Sequence, residues 1–213
     1  MFLRKLFNYV YPNVCGICGK RIFSSSYTCT NCLSILKCYK ERIIFNSNYP
    51  YDYMLNMYEY NGIVKSKICK FKFNDQKYIA KTFASLMMER IKKLNLAFDV
   101  IIPVPISINR YMERGYNQSY EIAKILGKIL RKAVYKDILI KIKNNQRQSM
   151  LNINERKKNV LGVYKTLKTD KIKGKVVLLV DDIYTTGATV NECARVLKES
   201  GAKKVLVITI AYA

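Results

Sequence analysis

Apolar positions along the chain change their spacing several times, and each change marks an element. Tyr53 to Tyr60 is strand-like, and Asn61-Gly62 carries a turn signal. Ile79, Phe83, Leu86 and Met87, then Leu94, recur at helical spacing and predict an amphipathic helix. Phe98 to Ile106, with its Val100-Ile101-Ile102 run, predicts a buried strand ended by Pro103 and Pro105. Ile122, Ile125, Leu126, Ile129 and Leu130 then share one face of a second helix. From Lys141 to Asn159 the chain is polar and basic with little periodicity, which reads as a mobile loop. Val176 to Val180 is apolar without a break, as in a strand covered on both faces. Val190, Cys193, Ala194 and Leu197 give a helix closed by Gly201, and Val205 to Ile210 is another buried strand. Strands alternating with helices imply an α/β domain built on a parallel sheet.

The first residues differ. Phe2, Leu3, Leu6, Phe7 and Val10 fall on one helical face, a spacing expected of a helix docked on the protein's own core; membrane-surface contact is the minority reading. No window holds the roughly 18 apolar residues of a membrane span, and Arg4 and Lys5 interrupt any signal-peptide pattern. The expected organisation is an N-terminal helix and cysteine module over 1–48, followed by the α/β domain over 49–213.

Charge narrows the company this chain keeps. Among 213 residues, 38 Lys and Arg face 15 Asp and Glu, a formal net charge of +23, densest between Arg131 and Lys175. Such a balance fits phosphorylated metabolites, nucleic acid or an anionic membrane surface, against the plainer reading of a solvated lysine-rich exterior. There is no histidine, which excludes Ser-His-Asp and Cys-His nucleophilic machinery and histidine-based metal sites. The 17 Tyr and 8 Phe serve a core, a base-stacking surface or both.

Four of the seven cysteines form Cys15-x-x-Cys18 and Cys29-x-x-Cys32. Two such turns can each present two thiolates to one tetrahedral Zn²⁺, and a structural site needs four soft ligands with no open position. Two disulfides would require an oxidising compartment, and redox C-x-x-C chemistry lacks the surrounding strand-helix pattern. Cys38, Cys69 and Cys193 read as ordinary buried thiols.

The most informative stretch is Asp181-Asp182-Ile183-Tyr184-Thr185-Thr186-Gly187-Ala188-Thr189, between the apolar strand and the helix expected from about Ala188. Ligands of open α/β sheets bind at the carboxyl ends of strands, so two carboxylates there face a crevice. A Thr/Gly-rich turn entering a helix offers N–H groups, hydroxyls and the positive dipole end to a phosphate. Ribose 5-phosphate fits this spacing; strand-end caps and a helix cap are the plainer alternative. A pyrophosphate leaving group needs Mg²⁺ and cationic donors, and Ser107, Arg110 and Arg114 follow the Pro103 strand at a suitable place, where a salt-bridged turn is the alternative for Arg114. Arg147 and Arg156, in the basic loop, are placed to close over such a ligand.

Val177 to Thr189 resembles the phosphoribosyl pyrophosphate (PRPP) signature of type I phosphoribosyltransferases. With the four-cysteine N-terminus, Pro103-Val104-Pro105, Arg114-Gly115-Tyr116-Asn117-Gln118-Ser119 and Arg156-Lys157-Lys158-Asn159-Val160, the whole chain resembles the ComF family of competence proteins. The resemblance implies a type I phosphoribosyltransferase-like domain behind a small zinc-binding module. It also implies PRPP bound with Mg²⁺, and action in natural transformation as single-stranded DNA enters the cytoplasm, with DNA-uptake proteins as partners and possible association with the inner face of the membrane. The family's PRPP residues carry over to Asp181, Asp182, Tyr184, Thr185, Thr186, Gly187, Ala188 and Thr189, and its pyrophosphate-side loop to Val104 through Arg110. Asp181 and Asp182 would take the catalytic place, holding the ribose hydroxyls. Position 116 is Tyr where Phe is expected. The alternative is a nucleobase or amine phosphoribosyltransferase in nucleotide salvage or synthesis.

Overall fold

The computed structural model describes residues 13–22, 27–37, 42–45, 49–73, 76–143 and 160–213. The expected helix through Phe2 to Val10, Cys38, Arg147 and Arg156, and most of the loop read over Lys141 to Asn159 lie outside the described residues.

Six strands form the main sheet in the order β3-β4-β10-β9-β5-β6. They are β3 (Arg42–Ile44), β4 (Tyr53–Glu59), β5 (Val100–Pro103), β6 (Ala133–Val134), β9 (Val176–Tyr184) and β10 (Lys204–Tyr212). All pairs are parallel except β3 with β4, so the antiparallel strand lies at an edge. β10 sits between β4 and β9, with Ile208 opposite both Leu55 and Val180. The period-2 alternation of side chains explains the unbroken apolar runs: each strand feeds two cores. Leu178, Val180, Leu206 and Ile208 pack with helices α2 (Gly62–Phe73), α3 (Ile79–Lys93) and α5 (Gln118–Leu130) through Ile68, Phe83 and Leu126. Val177, Leu179, Val205 and Val207 pack on the other side with α6 (Ala188–Glu199), through Val190, Cys193 and Leu197.

Outside the sheet, β1 (Asn13–Val14) and β2 (Arg21–Ile22) form a small hairpin followed by α1 (Thr30–Lys37). Cys15, Ile17, Cys32 and Leu36 are buried in the same apolar cluster as Phe83 of α3. The contact is tight at Gly16, where an added Cβ would come within 2.0 Å of Thr82 Oγ1. The short hairpin of β7 (Leu139–Lys141) and β8 (Tyr164–Thr166) flanks α6. Among the described residues, no helix is long and apolar enough to cross a membrane.

Several boundaries depart from the sequence pattern. The strand expected over Val176 to Val180 runs on to Tyr184, because β10 continues beside it and pairs Thr209 with Asp181 and Tyr212 with Tyr184. The two carboxylates therefore project from the last turns of the pleat rather than from a loop after it. The strand expected over Phe98 to Ile106 is confined to Val100–Pro103. Gly62, expected in a turn, opens α2, and Lys141, expected to begin a loop, closes β7. Helix α4 (Ile108–Arg114) buries none of its residues, so it carries no apolar signature; Ser107 caps its start and Gly115, at φ +74°, ends it.

Candidate active site and metal centre

The cleft at the carboxyl ends of β5 and β9 measures about 380 Å³. Asp181, Asp182, Thr185, Thr189, Arg110 and Arg114 all line it, so the structure brings together residues from two distant segments of the sequence. Lys72, Ser119, Lys141 and Tyr164 line it too, and none of these four was singled out from the sequence as a ligand residue. Tyr184, Thr186, Gly187, Ala188 and Ser107, also expected to bind the ligand, are not among the residues that line it. Thr186 Oγ1 accepts from the Ala188 N–H at 3.4 Å at the entrance to α6. Gly187 adopts φ +76°, and a Cβ there would lie 2.6 Å from the Tyr184 hydroxyl. Ser107 Oγ accepts from the Arg110 N–H at 3.4 Å, which fixes the start of α4.

The two carboxylates are held differently. Asp181 accepts from Ser119 Oγ at 3.0 Å and from the Asp182 backbone N–H at 2.9 Å. Burial, and then the Asp182 charge, push its pKa up to about 7, against the opposing pull of these hydrogen bonds and Lys72. Asp182 is bound by Lys72 Nζ, 3.0 Å from each of its oxygens. A polar row crosses the sheet beside them: Asn56 and Thr209, both fully buried, lie level with Asp181, and Thr209 Oγ1 donates to Asn56 Oδ1 at 2.8 Å. A polar residue inside each apolar run was the available sequence signal for this row.

Across the cleft the charge is positive. Burial, followed by repulsion from Arg110, lowers the Lys141 pKa to about 8, so the ammonium would gain from an anion placed between the two. Burial raises the Tyr164 hydroxyl well above its ordinary value, and it hydrogen-bonds Thr189 at the start of α6. The cleft thus combines an acidic pair with cationic and hydroxyl side chains.

Segment 114–119 explains how the cleft is built. Arg114 Nη1 donates to Gln118 Oε1 at 3.0 Å, and its guanidinium lies 5.1 Å over the Phe73 ring. Asn117 accepts from the Tyr120 N–H and donates to the Val104 carbonyl at 2.9 Å, tying α5 to the end of β5. The Tyr116 hydroxyl donates to the Phe71 carbonyl, which also receives Gln118 Nε2 at 3.4 Å. The tyrosine that replaces the expected phenylalanine therefore adds a hydrogen bond while its buried ring still packs against Phe71.

The cysteine module forms a second centre. The sulfurs of Cys15, Cys18, Cys29 and Cys32 all lie within 4.8 Å of one another. Cys18 and Cys29 are 3.7 Å apart, close to the edge of about 3.8 Å expected for a tetrahedron with Zn–S bonds of 2.3 Å. The Cys29 N–H points to Cys15 Sγ and the Cys32 N–H to Cys29 Sγ, an arrangement that stabilises thiolates. The cluster can hold a metal ion such as zinc. Cys193 is buried, while Cys69 is half-buried with Tyr60 Oη 3.5 Å away.

The family model for the phosphoribosyl transferase domain matches residues 72–213, which include the four parallel strands other than β4 and most of the cleft lining. Competence protein ComFC of Streptococcus pneumoniae is 35% identical over 149 residues, covering 70% of this chain and 63% of that protein. Competence protein ComFC of Bacillus subtilis is 30% identical over 191 residues, 89% of this chain and 73% of the relative. Competence protein F of Haemophilus influenzae is 29% identical over 209 residues, covering 94% and 90%. The chain belongs to the ComF family of competence proteins, and it carries a phosphoribosyl transferase domain.

Proposed function

We propose that this chain binds PRPP in the cleft between β5 and β9 and acts in natural transformation, in the handling of incoming single-stranded DNA on the cytoplasmic side. The observation that carries the reading is the pairing of two strand-end carboxylates with Arg110, Arg114 and Lys141 inside one cleft that ends at the Thr185–Thr189 turn. The names of the relatives support the competence role. A net charge of +23 suits a partner with a phosphate backbone, bound with salt-dependent affinity.

In this reading Asp181 and Asp182 accept from the ribose hydroxyls. Thr185, Thr189 and the N-terminus of α6 receive the 5′-phosphate. Arg110, Arg114 and Lys141 face the pyrophosphate, whose departure they favour by neutralising its charge. Asp181 and Asp182 would hold a Mg²⁺ that accompanies PRPP, and the ion would add charge neutralisation. Zn²⁺ would be held by Cys15, Cys18, Cys29 and Cys32 and would give the module its fold. The division into that module, 1–48, and the domain, 49–213, belongs to the same proposal, as do DNA-uptake proteins as partners.

Thermal unfolding in Mg²⁺, with and without PRPP, tests the site. At a hundred times its dissociation constant the ligand should add about 2.7 kcal/mol to the wild type, a rise of roughly 5 to 10 °C, and nothing to Asp181→Asn with Asp182→Asn. A wild type that does not shift removes the PRPP reading. Pyrophosphate release with one nucleobase or amine from an acceptor panel would establish transferase activity, the alternative role.

A further inference from the structure

The acidic pair already holds a cation, and it is the protein's own. Lys72 Nζ lies 3.0 Å from both oxygens of Asp182, with side-chain exposures of only 17% and 14% for the two partners. Its neighbours in the chain are pinned. The Phe71 carbonyl accepts from Tyr116 and Gln118, and the Phe73 ring lies beneath the Arg114 guanidinium. Arg114 in turn is bonded to Gln118, so one latch from segment 114–119 fixes the last turn of α2 on both sides of Lys72. A lysine at an exposed surface exchanges its partners at little cost; one held between two anchored neighbours and shielded from water does not.

We propose that Lys72 is a built-in counter-cation of the Asp181–Asp182 pair, so that a sugar diol or divalent cation engages Asp182 only by displacing its ammonium. The pair is then not an open acidic site awaiting a metal. Binding there is an exchange, and its strength is set partly by the Tyr116 and Gln118 latch. A ligand must supply its own positive charge or hydroxyl donors to replace those that Lys72 withdraws. This role rests on reading Asp181 and Asp182 as the ribose end of the site.

The test is Mn²⁺ binding without PRPP, followed by the loss of the free-ion electron paramagnetic resonance signal in the full chain. Lys72→Gln should bind Mn²⁺ at least tenfold more tightly than wild type, and adding Asp182→Asn to Lys72→Gln should abolish that gain. Equal or weaker binding by Lys72→Gln overturns the proposal, as does a gain that survives the loss of Asp182. If Lys72→Gln fails to fold, Tyr116→Phe carries the test: it keeps the lysine and loosens the latch, and a smaller gain supports the proposal where unchanged affinity overturns it. A protein that binds PRPP but whose Mn²⁺ affinity ignores Lys72 refutes this role alone. A Lys72-dependent gain in a protein that ignores PRPP refutes only the PRPP reading.

Discussion

Asp181 should make the folded protein less stable as it ionises. Its pKa rises from an ordinary 3.8 to about 7, chiefly through burial and then the neighbouring Asp182 charge. The sign follows from proton linkage. Below about pH 4 the carboxyl is protonated in both states and contributes nothing. Between about 4 and 7 the unfolded chain has released the proton that the folded one keeps, so stability falls as pH rises, and above 7 the loss is constant. At about 1.4 kcal/mol for each pH unit between the two values, the ceiling is roughly 4 kcal/mol. Lys72 and Asp182 share the charge balance, so we expect about half of it, roughly 2 kcal/mol. Asp181→Asn keeps the shape and an oxygen for Ser119 while removing the charge. The variant should therefore melt higher than wild type at pH 8, by roughly 4 to 8 °C, with the gap closing as pH falls toward 5. The assay is thermal unfolding of both proteins between pH 5 and 8, where no histidine titrates and the comparison with wild type removes the groups that the two share. A gap that stays flat with pH, or that narrows as pH rises, refutes the reasoning.

Two further outcomes follow from the backbone and the metal module. Gly187→Ala should lose roughly 2 to 4 kcal/mol, because a Cβ is strained at φ +76° and meets the Tyr184 ring, and unfolding in urea will show a lower midpoint at unchanged slope. Cys15→Ser should lower zinc content below one equivalent and destabilise the surrounding core, as read by metal analysis and thermal unfolding; a variant that retains a full equivalent rules out the four-sulfur site.

The legible parts of the site were those that local chemistry announces. Asp181 and Asp182 stand out because two carboxylates directly follow the unbroken apolar run Val176 to Val180, and the four cysteines carry their own spacing. Lys72 was invisible because α2 mixes four lysines into its apolar stripe, and only packing shows that Val64, Ile68 and Phe71 are its buried face. Lys141 looked like the start of a polar loop because its strand is three residues long and is paired only with Tyr164 to Thr166, far along the chain. Ser119 was in view as part of a motif, but its bond to Asp181 depends on two elements meeting 62 residues apart. Helix α4, with no buried side chain, has no period to detect.

Segment 114–119 bears on how inactive variants of this chain should be sorted. Five of its six residues spend their side chains on other parts of the protein, and the sixth is a glycine that turns the chain. Substitutions at Tyr116, Asn117 and Gln118 would damage the cleft from behind, misplacing Val104 and the end of α2 together, although none of the three lines it. A genetic screen would mark the segment as strongly as Asp181 itself. Structure separates the two groups: one is the frame, the other the surface that the frame holds in place.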